Sequence, residues 1–165
     1  ARGFAYVASP EFQGVAMRIV ALSNSLAAAF VKKGYRVITG GTDNHIVVVD
    51  VFRRGITGVN AEKALEECGL VVNKNRIPHD TNPPTVTSGI RLGTNGLANR
   101  QMEPGDMVGC VELIDQVLSG LQQVSEREYR LDPKLRARIE HQVHELCLRR
   151  PIRTYPAPQV AARAA

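Results

Sequence analysis

Three short polar segments carry the side chains best suited to chemistry. They are Thr39-Gly40-Gly41-Thr42-Asp43-Asn44-His45, Val72-Asn73-Lys74-Asn75-Arg76-Ile77-Pro78-His79-Asp80 and Thr87-Ser88-Gly89-Ile90-Arg91-Leu92-Gly93-Thr94. Each is rich in glycine and polar residues and abuts an apolar run, and sites are commonly built at such edges. Arg91 is the sharpest candidate. It stands between Ile90 and Leu92, so period-two geometry turns it to the face opposite its neighbours. A guanidinium there needs a partner, and a carboxylate held by its two-pronged fork fits best. The plain alternatives are an edge-strand arginine in solvent and an internal ion pair. The amide of Asn75 can offer both a donor and an acceptor to a heterocycle, or Asn73-Lys74-Asn75 can simply be a polar turn after a strand. His45, beside Asp43, has the makings of a general base, although a histidine at a strand start more often has a structural role. His141 and His144 sit three apart on a helix but lack a third ligand nearby, so no metal is expected. Gly93-Thr94-Asn95-Gly96 matches neither a phosphate loop nor a dinucleotide fingerprint.

The elements that must position these segments follow from periodicity and caps. Ser9 as N-cap and Pro10 at the first turn open a long helix. Its apolar positions Val15, Ile19, Leu22, Leu26 and Phe30 recur at steps of three and four, and Gly34 closes it. Strands are expected at Tyr35 to Thr39, Ile46 to Val51, Leu70 to Val72 and Gly89 to Leu92. A short helix over 61–68 is expected after an Asn60 cap, with Gly69 at its end. A proline-rich loop runs from Ile77 to Pro84. Two helices finish the chain: one over 104–119, and one opened by Asp132-Pro133 and stopped by Pro151. This order predicts an α+β fold, with helices over a small sheet.

Composition narrows the function classes. The 165 residues suit one domain with its own core, and 44% are hydrophobic. The net charge is +5, yet acidic residues sit among most of the arginines and no aromatic platform accompanies a basic stripe, which argues against a nucleic-acid surface. Cys68, Cys110 and Cys147 form no metal or disulfide spacing and read as free thiols in a reducing cytoplasm. No apolar run is expected to reach the roughly 20 residues that span a bilayer. The N-terminus has no apolar signal core. Its first residue is Ala rather than Met, so a processed chain or part of a longer one is expected.

Taken together, GGTDNH before an apolar strand, VNKNxIPxD and TSGIRLGT resemble the small domain of serine hydroxymethyltransferase, from about Glu11 to about Arg150. The resemblance implies an α/β sandwich of pyridoxal-phosphate fold type I, with a small, mainly antiparallel sheet covered by helices. It implies residues 1–34 as an inter-domain, N-terminal helix and 35–152 as the C-terminal small domain, while the Ala- and Pro-rich composition of 153–165 predicts a disordered tail. Members use pyridoxal phosphate held by a lysine of a large N-terminal domain. They move a one-carbon unit between serine or glycine and tetrahydrofolate, and they work as oligomers. Arg91 matches the arginine that grips the amino-acid carboxylate, and Asn75 the asparagine that meets the folate ring. No residue matches the cofactor lysine, its stacking histidine or the aspartate at the pyridine nitrogen. No catalytic residue is therefore assigned to this chain, and a separate large-domain chain is the expected partner. Asn95 to Gln101 departs from the family's Pro-Ala, Thr, Arg and Gly, and Thr85 stands where an aromatic is common, so substrate choice is open. The alternatives are a folate-independent aldolase-like relative acting on β-hydroxy amino acids and a non-catalytic regulatory or assembly subunit.

Overall fold

The computed structural model describes residues 2–152; the expected disordered tail at 153–165 lies outside them. Helix α1 (Arg2–Val7) leads into α2 (Pro10–Lys32). The Ser9 hydroxyl accepts from Phe12 N at 3.2 Å, so α2 starts where its cap and proline predict. Gly34, at φ 78°, turns the chain out of the helix.

Four strands form the main sheet: β1 (Arg36–Val37), β2 (Ile46–Asp50), β3 (Asn73–Asn75) and β4 (Gly89–Gly93). Their order is β1-β2-β4-β3 and every pairing is antiparallel. Val37, Val47, Val49, Ile90 and Leu92 share one face and are buried. Helix α2 covers that face with Leu22, Leu26 and Phe30, and α3 (Gly58–Glu67) covers it with Ala61, Ala64 and Leu65. Helix α5 (Asp106–Gly120) packs on α2 and α3, and α6 (Pro133–Arg149) packs on α5. The sheet therefore has helices on one face, and the α+β expectation holds.

Four local expectations change. Thr57, not Asn60, caps α3: its hydroxyl accepts from Asn60 N at 3.4 Å. Asn60 is instead fully buried, and its amide donates to Ser125 O at 3.0 Å and Glu128 O at 3.2 Å. Those bonds hold a hairpin of β5 (Gln122–Gln123) and β6 (Tyr129–Arg130) that periodicity does not reveal. The strand expected at Leu70 to Val72 lies instead at Asn73–Asn75, because β4 offers its edge to those residues while Val71 is 83% exposed. A further helix, α4 (Asn95–Asn99), follows Thr94, whose hydroxyl donates to Ile19 O of α2 at 2.9 Å. The divergent stretch thus packs on α2, with Ala98 buried.

The expectation about bilayer length also needs correction. Helix α2 has 23 residues and contains an 18-residue stretch with a mean hydropathy of 1.6, enough by length and composition to cross a membrane. Alanines and valines raise that average although polar residues interrupt every run. Its C-terminal half is spent on the core, where Leu22 and Phe30 are fully buried; a long core helix has the same composition.

The thiols differ in reach. Cys68 and Cys110 are buried and Cys147 is half-buried. Desolvation is the main cause lifting both buried thiols, Cys110 to about 11. A thiol reagent in mild alkali is expected to modify Cys147 first, with Cys68 and Cys110 following only on unfolding. Labelling followed by peptide mass mapping checks this, and equal rates at all three would contradict the packing.

Candidate functional site

The candidate site is the face of the sheet that no helix covers among the described residues. Residues directly opposite in a ladder share a face. In the β2–β4 register Val48 pairs with Arg91, and in the β3–β4 register Asn73 pairs with Arg91 and Asn75 with Gly89. Arg91, Asn73, Asn75, Val48 and Ile46 therefore all lie opposite the buried Ile90, Leu92, Val47 and Val49. Arg91 and Asn75, 16 positions apart in sequence by subtraction of their numbers, become diagonal neighbours at roughly 7–8 Å. Arg91 is exposed, and among the described residues its side chain makes no hydrogen bond or ion pair.

Lys74 lies between the two asparagines and on the other face. Its backbone N–H donates to Glu62 Oε1 at 2.8 Å, and its ammonium meets Glu62 Oε2 at 2.9 Å. Helix α3 thus anchors the centre of the segment and leaves both asparagine amides toward the open face. Asn75 donates one N–H to Arg76 O at 2.6 Å; its Oδ1 and second N–H remain for a ligand.

A cleft of about 710 Å³ opens over this face. Its floor includes Ile38, Ile46 and Val48, one wall carries Asn75, Arg76 and Pro78, and the opposite lip is Thr39 to Asn44. The lip is internally tied: Thr42 Oγ donates to Ile46 O at 2.7 Å and Asn44 Oδ1 accepts from Ile46 N at 2.8 Å. Gly40 enters it at φ 70°, a conformation glycine adopts freely. Apolar floor and polar walls suit a flat ring with polar edges.

Asp80 organises the far side of the site, a role that local spacing did not disclose. Its Oδ2 accepts from Ile77 N at 3.2 Å and Ser88 N at 3.0 Å. Its Oδ1 accepts from Asn82 N at 3.0 Å and the Ser88 hydroxyl at 2.6 Å. Partial desolvation is the largest single influence and pushes its pKa up, yet the hydrogen bonds from Ser88, Asn82 and Ile77 together hold it below the usual carboxylate value. Thr87, buried at φ 60°, is a β-branched residue in the left-handed region where the loop turns into β4.

Of the candidates only Asn75 lines the cleft; Arg91 shares its sheet face through the strand register but is not part of the lining, and the histidines lie outside it. His45 is exposed, and its carbonyl accepts from Thr94 N at 3.2 Å. His141 and His144 lie on α6, and among the described residues no group of three or more His, Cys, Asp or Glu side chains converges as a metal site would.

Comparison with known proteins adds an independent finding. The family described as serine hydroxymethyltransferase matches residues 1–114. A serine hydroxymethyltransferase of Koribacter versatilis is 44% identical over 138 residues, covering 84% of this chain and 30% of that protein. One of Acidobacterium capsulatum is 42% identical over 143 residues, covering 87% of this chain and 31% of that protein. The chain thus spans about three tenths of the length of these relatives.

Proposed function

The chain belongs to the serine hydroxymethyltransferase family, and from that membership we propose that it forms the small domain of a pyridoxal-phosphate-dependent hydroxymethyltransferase. The assembled enzyme interconverts serine, or an α-substituted serine, and glycine with tetrahydrofolate. One observation carries the reading: the guanidinium of Arg91, unpartnered among the described residues, stands on the same sheet face as the amide of Asn75.

Arg91 takes the amino-acid carboxylate in a two-pronged, charge-assisted hydrogen bond. Asn75 offers its remaining N–H and its Oδ1 to the folate ring. Both contacts orient a substrate without touching the bond that breaks, so the contribution of this chain is positioning. The family's cofactor supplies an electron sink when bound, but the described residues do not build its site. Lys74 is held by Glu62, and Lys33 by Glu112 and Asp115. Lys32, Lys63 and Lys134 stand on α2, α3 and α6, away from the open face. The cofactor lysine belongs to a large domain outside these residues. We read that domain as a separate polypeptide, joined to this one in an oligomeric cytoplasmic assembly; three free cysteines suit such a compartment.

The test is to purify the protein from its source, identify its chains by mass, and assay serine cleavage with and without tetrahydrofolate. Folate-dependent cleavage by an assembly of two kinds of chain is the expected result. Cleavage of β-hydroxy amino acids indifferent to folate would move the assignment to an aldolase-like relative. One chain carrying both domains would end the two-polypeptide reading.

A further inference from the structure

We propose that Asp80 is a positioning residue that sets the spacing between the Arg91 guanidinium and the Asn75 amide. The inference rests on the functional reading above and deepens it. The carboxylate of Asp80 ties the exit of β3 to the entry of β4: it accepts from Ile77 N, two residues beyond Asn75, and from Ser88 N and Oγ, three residues before Arg91. It also accepts from Asn82 N, and the Asn82 amide in turn donates to Ser88 Oγ at 2.9 Å. One side chain therefore closes the loop on both strands that carry the candidate ligands.

The junction it holds has little slack. A Cβ on Gly89 would lie 2.7 Å from Ile77 Cγ2, 3.0 Å from Val49 O and 3.1 Å from Asn75 O, so Ile77 is seated directly on the start of β4. Two residues of the loop, His79 and Thr87, both at φ 60°, occupy the left-handed region without being glycine. Backbone in that region persists only where surrounding contacts over-determine it, and the hydrogen bonds to Asp80 supply such contacts on either side. Asp80 touches neither proposed ligand position. It acts through the backbone, and positional errors of about an ångström can cost roughly 10²-fold in rate.

The experiment uses the assembled enzyme carrying Asp80→Ala, Asp80→Asn, Arg91→Ala or the Asp80→Ala/Arg91→Ala pair, assayed well below every melting temperature. Asp80→Ala is expected to lower kcat/KM for serine by roughly 10-fold to 10²-fold, chiefly by raising KM. Asp80→Asn, which keeps a carbonyl acceptor, should recover part of that loss and serves if the alanine variant fails to fold. In the double variant the Asp80→Ala change should add little to the loss from Arg91→Ala, because both act on one contact. Unchanged KM in the folded Asp80 variants beside a raised KM in Arg91→Ala overturns this inference alone, as does full additivity in the pair. Unchanged KM in Arg91→Ala overturns the functional reading and the role of Asp80 with it.

Discussion

Replacing Arg91 with Ala is expected to lower kcat/KM of the assembled enzyme for serine by about 2–5 kcal/mol, roughly 30- to 4,000-fold at 1.4 kcal/mol per tenfold. The magnitude is that of truncating one partner of a desolvated charge pair. In the chain alone the guanidinium is exposed, so the figure applies once substrate and the large domain enclose it. The same exposure makes a second expectation: with no side-chain partner among the described residues, its removal should leave folding stability within about 0.5 kcal/mol. Arg91→Lys keeps the charge but loses the fork, and should fall between the two. Steady-state kinetics beside a denaturant melt separates the effects. Normal kinetics in Arg91→Ala would favour a non-catalytic assembly role for the chain. A large drop in stability would mean that the side chain has a structural duty the open face does not disclose.

Gly58→Ala is expected to be the costliest small substitution for folding. Gly58 starts α3 and is buried, and its N–H donates to Thr87 O at 2.9 Å. A Cβ there would lie 2.1 Å from Thr87 Oγ and 2.6 Å from Gly89 O. Thr87 is already in the left-handed region, and Gly89 O belongs to the first residue of β4, so neither neighbour can yield cheaply. Overpacking of this kind costs about 3 kcal/mol, and at roughly 2–4 °C per kcal/mol for a chain of this size the melting temperature should fall by about 6–12 °C. Gly109→Ala provides the control: it sits within α5 with nothing within 4 Å of its Cβ, and should stabilise the helix by up to about 1 kcal/mol. Equal melting temperatures for the two variants would show that the α3–β4 junction is looser than the close approaches indicate. Because that junction carries the entry to Arg91, a folded Gly58→Ala protein should also bind substrate more weakly.

How much of this was legible in the chain depends on the range of the interaction concerned. Helix α2 begins at its Ser9 cap and α6 at its Asp132 cap, because an N-cap and its target N–H lie within three residues. Strand β2 falls where the apolar run is short and β-branched, and β4 where Ile90 and Leu92 alternate with Arg91 between glycines. The alternation Ile90, Arg91, Leu92 put the guanidinium on the face away from the core, as found, since strand parity needs only one neighbour on either side. The three polar segments were visible from composition, and two of them, with Asn75 and Arg91, meet on one face.

Tertiary structure decided what depends on distant partners. Asn60 looked like a cap from its neighbours, but its amide is committed to a hairpin 65 and 68 residues further on. Strand β3 moved from Leu70–Val72 to Asn73–Asn75 because pairing with β4, and the grip of Glu62 on Lys74, outweighed local β-propensity. The spacing that makes Arg91 and Asn75 one site comes from the register between strands, which no single strand contains. Asp80 is only a polar loop residue until the two strands it ties are seen side by side. Local rules suffice for caps and faces because their energies are set within one turn or one pleat; register, long-range amide bonds and close backbone approach arise only when the chain has closed on itself.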